Sequence, residues 1–365
     1  MGAGSWGTTY AKVLADAGND IWLWARREDI AEEIRDTRRN GDYVPGVVLP
    51  TNLRASSDVA EVLEGAVQVY IAVPAQSLRA NLTAWGHLIP ANAILVSLMK
   101  GVERDTGLRM SEVIAEATGF PSEQIAVVSG PNLSQEIAAE QPAASVASST
   151  SRETTIAVAE ASTNSYFTCF RNNDVIGTEF GGILKNLIAV AIGIVNGVGY
   201  GENTKASIMT RGLAEISRFA VAYGAQPTTM VGLAGLGDLI ATSESPLSRN
   251  HQAGEMLGRG YSLREVLKRM SQTAEGLSSV KPVLALAEAK GISMPIVEQV
   301  HAVLEGRMDP RDIAPTLTHE TDGPVRESCQ SCALQFFSAA RLLSTKFLAP
   351  RHQVFSAQSI AANTK

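Results

Sequence analysis

In the first half of the chain, short apolar and β-branched runs alternate with amphipathic segments. "DIWLWA" (residues 20–25), "VQVYIAV" (67–73), "AILVSL" (93–98), "IAVVSG" (125–130), "AASVASS" (143–149) and "YFTCF" (166–170) read as strands. Residues 28–40, 76–85, 109–118 and 153–161, lying between them, read as helices. Apolar strands separated by helices predict a mostly parallel sheet covered on both faces. After about residue 170 the strand-like runs stop, and residues 174–312 read as helices broken by Gly and Pro. The pattern therefore predicts an α/β doubly wound, Rossmann-like domain over 1–172 and an all-α domain over 173–314. An extension rich in Ser, Ala and Gln follows over 315–365. The longest apolar stretch, "LIAVAIGIVNGVG", is too short to span a bilayer and reads as a buried helix.

The chain opens "MGAGSWGTTYAKVLADAGND", with Gly2, Gly4 and Gly7 in G-x-G-x-x-G spacing. A helix ending at Gly18 and then a strand follow, the order in which such a turn presents helix N–H groups to a pyrophosphate. At the end of that next strand an acidic residue would grip the ribose 2′-hydroxyl. Arg26 and Arg27 stand there instead. A guanidinium fork matches phosphate oxygens, so the pair favours NADP(H) over NAD(H) unless it is merely a solvated helix start. Only Met1 precedes the turn, where the fold needs a buried strand. A missing first strand predicts an exposed neighbouring strand and weaker support for the turn, the expected reason being a late start or a fragment.

Composition narrows the class. Hydrophobic residues make up 45% of the 365 and charged residues 19%, enough for two buried cores. A formal charge of −6 argues against a nucleic-acid partner, and three cysteines fit a reducing, cytoplasmic setting better than a disulfide scaffold. The five histidines are scattered without ligand spacing, so no metal is expected.

Four stretches with isolated polar groups stand out. "GTEFGGILKNLIAVAIGIVNGVGYG" is apolar except for Lys185, Asn186 and Glu179, and a buried ammonium must find a partner, reach a cavity or lose its proton. Desolvation lowers a lysine pKa and makes a usable general acid or base; a salt bridge, with Glu179 for instance, is the plainer alternative. Gly181 and Gly182 leave room for another segment beside it. "AGLGDLIATSESPLSRN" sets Asp238 after two glycines and Ser248, Arg249 and Asn250 at a predicted helix start, which suits an anion pocket or an ordinary cap. "LMKGVE" with Lys100 and "SGPNLSQE" with Ser129 to Asn132 follow strands, where ligands bind in such sheets.

Together "GAGSWGTTYAKVLADAG", "WARRE", "AVPAQSLR", "SLMKG", "GLRMSEVI", "SGPN", "GGILKNLIAVAIGI", "NTKASIMTRGLAEI", "GLAGLGDLIAT" and "SPLSRN" resemble bacterial NAD(P)-dependent glycerol-3-phosphate dehydrogenase, over residues 2 to about 312. The resemblance implies interconversion of dihydroxyacetone phosphate and sn-glycerol 3-phosphate with NADPH or NADH, supplying glycerol phosphate for phospholipids. It implies cofactor contacts at Ser5, Trp6, Arg26, Arg27, Lys100, Ser134, Arg249 and Glu275, beside the glycines Gly2, Gly4 and Gly7. Lys185 takes the place of the proton donor and acceptor; with Lys100 it would stabilise oxyanion charge, and Asp238 would orient Lys185 or bond a substrate hydroxyl. Lys100, Gly130, Asn132, Asp238, Ser248, Arg249 and Asn250 take the places of substrate contacts. The rival readings are a related β-hydroxyacid dehydrogenase, which would not need the Ser248–Asn250 cluster, and a silent dinucleotide sensor, which would not need Lys185 and Asp238. A homodimer through the helical region is compatible with the sequence, which does not decide it.

Residues 315–365 match nothing in that family. Cys329 and Cys332 make a lone C-x-x-C with no second pair, so zinc is not expected. "LQFFSAARLLSTKFL" reads as part of an exposed or disordered extension or of an erroneous reading frame, with a basic amphipathic helix at a membrane surface, without stable insertion, as the alternative.

Overall fold

In a computed structural model of the chain, which describes residues 1–270 and 274–315, every strand lies before residue 173. They are β1 (Ile21–Trp24), β2 (Leu53–Ser56), β3 (Gln68–Ile71), β4 (Ile94–Ser97), β5 (Ile125–Ser129), β6 (Ala143–Ser149) and β7 (Phe167–Asn172). β1 pairs with β2, and β3 to β7 form a second sheet in sequence order. All pairings are parallel except β5 with β6. β2 was not read from the sequence: "LRAS" is four residues long and carries a charge, too short for alternation to show.

The helices of this part are α1 (Ser5–Asp16), α2 (Glu28–Thr37), α3 (Val59–Leu63), α4 (Leu78–Trp85), α5 (Met110–Thr118), α6 (Ser134–Ala138) and α7 (Arg152–Ser162). The helix expected over 28–40 stops at Thr37, because Arg38 turns left-handed at φ 54°. The segment expected as helical from residue 76 begins as a 3-10 turn, Ala75–Ser77, ahead of α4.

β1 and β3 are not paired with each other, and backbone bonds of the first two residues reach both. Gly2 N donates to Trp24 O at 3.1 Å, and Met1 O accepts from Ala72 N at 2.9 Å. The turn takes further support from Asn40, a buried side chain that donates to Ala3 O at 3.0 Å and to Thr8 Oγ1 at 2.9 Å.

The helical part is built on α8 (Val175–Val198), whose residues are buried continuously from Gly177 to Val195. Asp174 caps it through Gly177 N at 2.8 Å and also accepts from Gln226 N at 2.8 Å. Around it lie α9 (Glu202–Ala222), α10 (Pro227–Met230), a single π-helical turn (Leu233–Gly237), α11 (Asp238–Glu244), α12 (Arg249–Gly258), α13 (Leu263–Arg269), α14 (Glu275–Ala289) and α15 (Pro295–Leu304). α8 is long and apolar enough to cross a membrane, but its most apolar window is 83% buried within the protein, as a core helix is.

α12 crosses α8 with backbone against backbone. A Cβ on Gly254 would stand 2.2 Å from Val190 O, and one on Gly193 would stand 2.2 Å from His251 O. Small residues on both helices permit this approach, and it fixes where the start of α12 lies relative to Lys185. Gly254→Val should therefore cost about 3 kcal/mol of stability, since the contact atoms are backbone and cannot turn aside. Equilibrium unfolding in urea checks this, and a loss below about 0.5 kcal/mol, the scale of a surface change, would contradict it.

Candidate functional site

α8 brings Lys185 into the interior, and α11 brings Asp238 to meet it. Lys185 Nζ lies 3.0 Å from Asp238 Oδ1 and donates to Thr242 Oγ1. Thr242 Oγ1 in turn donates to Asp238 Oδ1 at 3.2 Å. Lys100, just past the end of β4, places its Nζ 2.6 Å from Asp238 Oδ2 and 3.0 Å from Gly130 O. One buried carboxylate thus holds two ammonium groups, one per oxygen. Gly182 makes room for this, because a Cβ there would press on Ser129 Oγ and on the Lys100 side chain.

Burial pushes the Lys185 ammonium down to about 8; Asp238 opposes the shift and Lys100 adds to it. Glu179 does not meet Lys185. Six residues earlier on α8, it faces another side, accepting from Ser111 N at 2.9 Å and Ser111 Oγ at 2.6 Å and pairing with Arg109. The acid that pairs with Lys185 is Asp238, not Glu179.

The α12 start is tied to the same centre. Ser248 is its cap, accepting from His251 N at 3.3 Å, and Arg249 is its first residue. The Asn250 side chain is held by the protein: Nδ2 donates to Asn186 Oδ1 at 2.8 Å, and Oδ1 accepts from Gly276 N at 2.9 Å. That pair of bonds positions α14, whose first residue is Glu275. The Glu275 carboxyl is raised, chiefly by burial, against the pull of Arg249, Lys100 and Lys185. Three cations and two carboxylates so face one another, an excess of positive charge suited to an anion.

The glycine turn lies at the same end of the sheet. A Cβ on Gly7 would fall 1.9 Å from Gly2 O, and Gly2 itself has φ +110°, so neither tolerates a side chain. Space is open beside Gly4, the residue before α1 begins at Ser5. Trp6 Nε1 is buried without a partner, as are Ser129 Oγ and Asn132 Nδ2. Asn132 Oδ1 accepts from Ser145 Oγ at 2.5 Å. Ser134 starts α6, and its carbonyl accepts from Thr9 Oγ1 of α1 at 3.3 Å. These features fit a dinucleotide: a cradle that a Cβ would fill, a helix start with no acid in its first turn, and orphaned donors. Arg26 and Arg27 follow β1 and are exposed. Arg27 is engaged by Asp29 and Asp42, whereas Arg26 has no ion-pair partner among the described residues.

Thr242 and Asn40 were not singled out from the sequence, and Asn186 stood out there only as a polar residue beside Lys185. Thr242 alone had a signal, standing one helical turn after Asp238 on the same face. Cys329, Cys332 and the "LQFFSAARLLSTKFL" segment lie outside the described residues.

Comparison with known proteins agrees with this geometry. Residues 1–155 match the family description "NAD-dependent glycerol-3-phosphate dehydrogenase N-terminus", and residues 174–315 match the corresponding C-terminus. The chain is 62% identical over 322 residues to a glycerol-3-phosphate dehydrogenase [NAD(P)+] of Leifsonia xyli, covering 88% of this chain and 87% of that protein. It is 52% identical to one of Frankia casuarinae, covering 88% and 96%. The crystal structure of glycerol-3-phosphate dehydrogenase from Coxiella burnetii superposes with a TM-score of 0.82 at 35% identity, covering 87% of this chain and 97% of that one. A ketopantoate reductase from Ralstonia eutropha, at 17% identity and a TM-score of 0.53, shares the fold alone. Folded in this way, the chain belongs to the NAD-dependent glycerol-3-phosphate dehydrogenase family and uses NAD(P).

Proposed function

We infer that the chain interconverts dihydroxyacetone phosphate and sn-glycerol 3-phosphate, and that residues 1–172 bind cofactor while residues 173–314 bind substrate and carry the proton chemistry. The observation that carries this reading is the buried Lys185, lowered to about 8 and set between Asp238 and Thr242 beside Lys100. Bound nicotinamide supplies the hydride. Lys185 gives its proton to the carbonyl oxygen as negative charge builds there, and Lys100 steadies that charge. Asp238 holds both lysines in place. Ser248, Arg249 and the backbone N–H groups of the α12 start take the phosphate, and Gly130 and Asn132 line the approach. Asn250 acts mainly by fixing α12 and α14 around the pocket. Glu275 and Ser134 border the cofactor with Ser5 and Trp6.

The product is a glycerol phosphate for phospholipid synthesis, made in the cytoplasm without metal, nucleic acid or membrane insertion; a homodimer is the assembly proposed. NADPH oxidation by the purified chain tests the reading. Oxidation that appears only with dihydroxyacetone phosphate supports it; a folded chain that consumes NADPH equally without it overturns it.

NADP(H) is the proposed cofactor, and Arg26 is the residue free to meet the 2′-phosphate. Arg26→Ala should weaken NADPH binding about tenfold, the worth of roughly one charge-assisted contact, and leave NADH binding unchanged. Arg27→Ala should do less, because Asp29 and Asp42 already occupy that guanidinium. Fluorescence titration with each nucleotide reads both, and equal losses for NADH and NADPH would refute the 2′-phosphate role.

A further inference from the structure

Residues 100–109 run as a strap from beyond the end of β4 to the start of α5. Its two limbs are tied together, Val102 bridging Arg109 and Glu103 N donating to Leu108 O at 2.8 Å. Arg79 holds Glu103 through two bonds of 2.8 Å, which fixes the strap to α4. Val102 is fully buried in a hydrophobic cluster whose other members all come from residues 176–314. Gly107 lies close on Leu286 of α14, where a Cβ would come within 3.1 Å. The strap thus joins the sheet part of the chain to the helical part, with Lys100 at one end and Arg109 at the other.

Glu179 of α8 grips the Arg109 end. Its carboxylate, 3% exposed, takes Arg109, Ser111 N and Ser111 Oγ, at the end of the strap and in the first turn of α5. The proton chemistry leaves this network without a role. A buried ion pair is a weak source of stability, because its attraction is offset by the desolvation of both charges. It is directional, however, which the apolar packing of Val102 is not. α8 carries Glu179 and Lys185 six residues apart, about 9 Å along the axis. One helix therefore meets both ends of the strap: Arg109 through Glu179, and Lys100 through the Asp238 carboxylate that Lys185 shares.

We propose that Glu179 is a positioning residue: by fixing the Arg109 end of the strap on α8, it sets how far Lys100 stands from Lys185 and Asp238. Its effect on turnover rests on the reading that both lysines serve the carbonyl oxygen. Lys185 is faced by Asp238 of α11, Lys100 of the strap and Glu275 of α14, and Arg249 of α12 faces Glu275. Of the three groups facing Lys185, Lys100 is the one that favours the neutral amine. A strap that slips carries Lys100 away, so the Lys185 pKa rises.

Glu179→Gln keeps an acceptor for Ser111 N and loses the charge that holds Arg109. It should lower kcat for dihydroxyacetone phosphate reduction about tenfold and leave KM for NADPH within about twofold of the parent. The high-pH limb of reduction should move up by about half a pH unit. Arg109→Met combined with Glu179→Gln also removes the guanidinium that the single change leaves with Glu112 alone. The double variant should regain most of the Tm lost by the single one, while kcat stays low and the limb stays displaced. Parental kcat and limb in Glu179→Gln, or activity that returns with Tm in the double variant, would overturn the proposal. So would a lower kcat with the limb unmoved, which would leave Glu179 a packing residue. The unmodified chain separates this role from the reading beneath it. A folded chain that never oxidises NADPH in response to dihydroxyacetone phosphate overturns both together; one that turns over, beside variants that match it, overturns the Glu179 role alone.

Discussion

Replacing Lys185 with Met should lower kcat for dihydroxyacetone phosphate reduction by about 10³-fold, within the range expected for removing a positioned proton donor. KM should change far less, because the groups proposed for the phosphate lie on α12. Lys185→Arg separates the proton from the charge. A guanidinium keeps a positive charge beside Asp238 but does not give up its proton near neutral pH, so turnover should stay low. The pH profile carries the same signature. Reduction needs the ammonium form, so kcat/KM in that direction should fall as pH rises through about 8, the value to which burial brings Lys185. Oxidation of glycerol 3-phosphate needs the neutral amine and should rise over the same interval. Steady-state rates in both directions read these limbs. A Lys185→Arg protein with normal turnover, or reduction flat from pH 7 to 10, would remove the proton role.

The sequence carried this site unevenly, for reasons that are physical. Lys185 was legible because a lone ammonium in an apolar helix demands an explanation. Asp238 was legible beside it as a group to orient Lys185 or bond a substrate hydroxyl, but which acid pairs with the ammonium was not, since a contact between α8 and α11 depends on how the helices pack, and Glu179, nearer in sequence, points off another face. The glycine turn was legible because only Gly tolerates Gly2's positive φ and the contact between Gly7 and Gly2 O. Its outer brace was not: Asn40 reaches Ala3 and Thr8 across a loop with no periodicity of its own. The strands with long apolar runs were read, and β2, four residues with a charge, was missed. Asn250 was read as a substrate contact from the family resemblance and its place at a helix start; packing adds bonds from its side chain to Asn186 and Gly276 that no sequence pattern shows. Residue type revealed which groups are unusual; only packing revealed what each is bonded to.

Asp238 is the group on which both lysines depend, and Asp238→Asn tests that dependence. The side chain is 2% exposed, with Lys100 at one oxygen and Lys185 at the other. An amide of the same shape leaves the two ammonium groups facing each other without the counter-charge that lay between them, Glu275 being the carboxyl group that remains nearby. Taking one partner from a buried ion pair leaves a penalty of about 3–5 kcal/mol, and a lysine escapes it by releasing its proton. Lys185, already lowered, is the group to do so, since burial and the neighbouring Lys100 both favour its neutral form. The sign follows: losing the negative charge lowers the Lys185 pKa further, so less ammonium remains at pH 7. The high-pH limb of the reduction profile should move to lower pH, and kcat at pH 7 should fall about 10²-fold. Part of that loss should return as the assay is taken toward pH 6, where Lys185 regains its proton. A limb that stays in place or moves to higher pH would show that Asp238 does not set the Lys185 charge. A uniform loss at every pH would reduce Asp238 to a packing group.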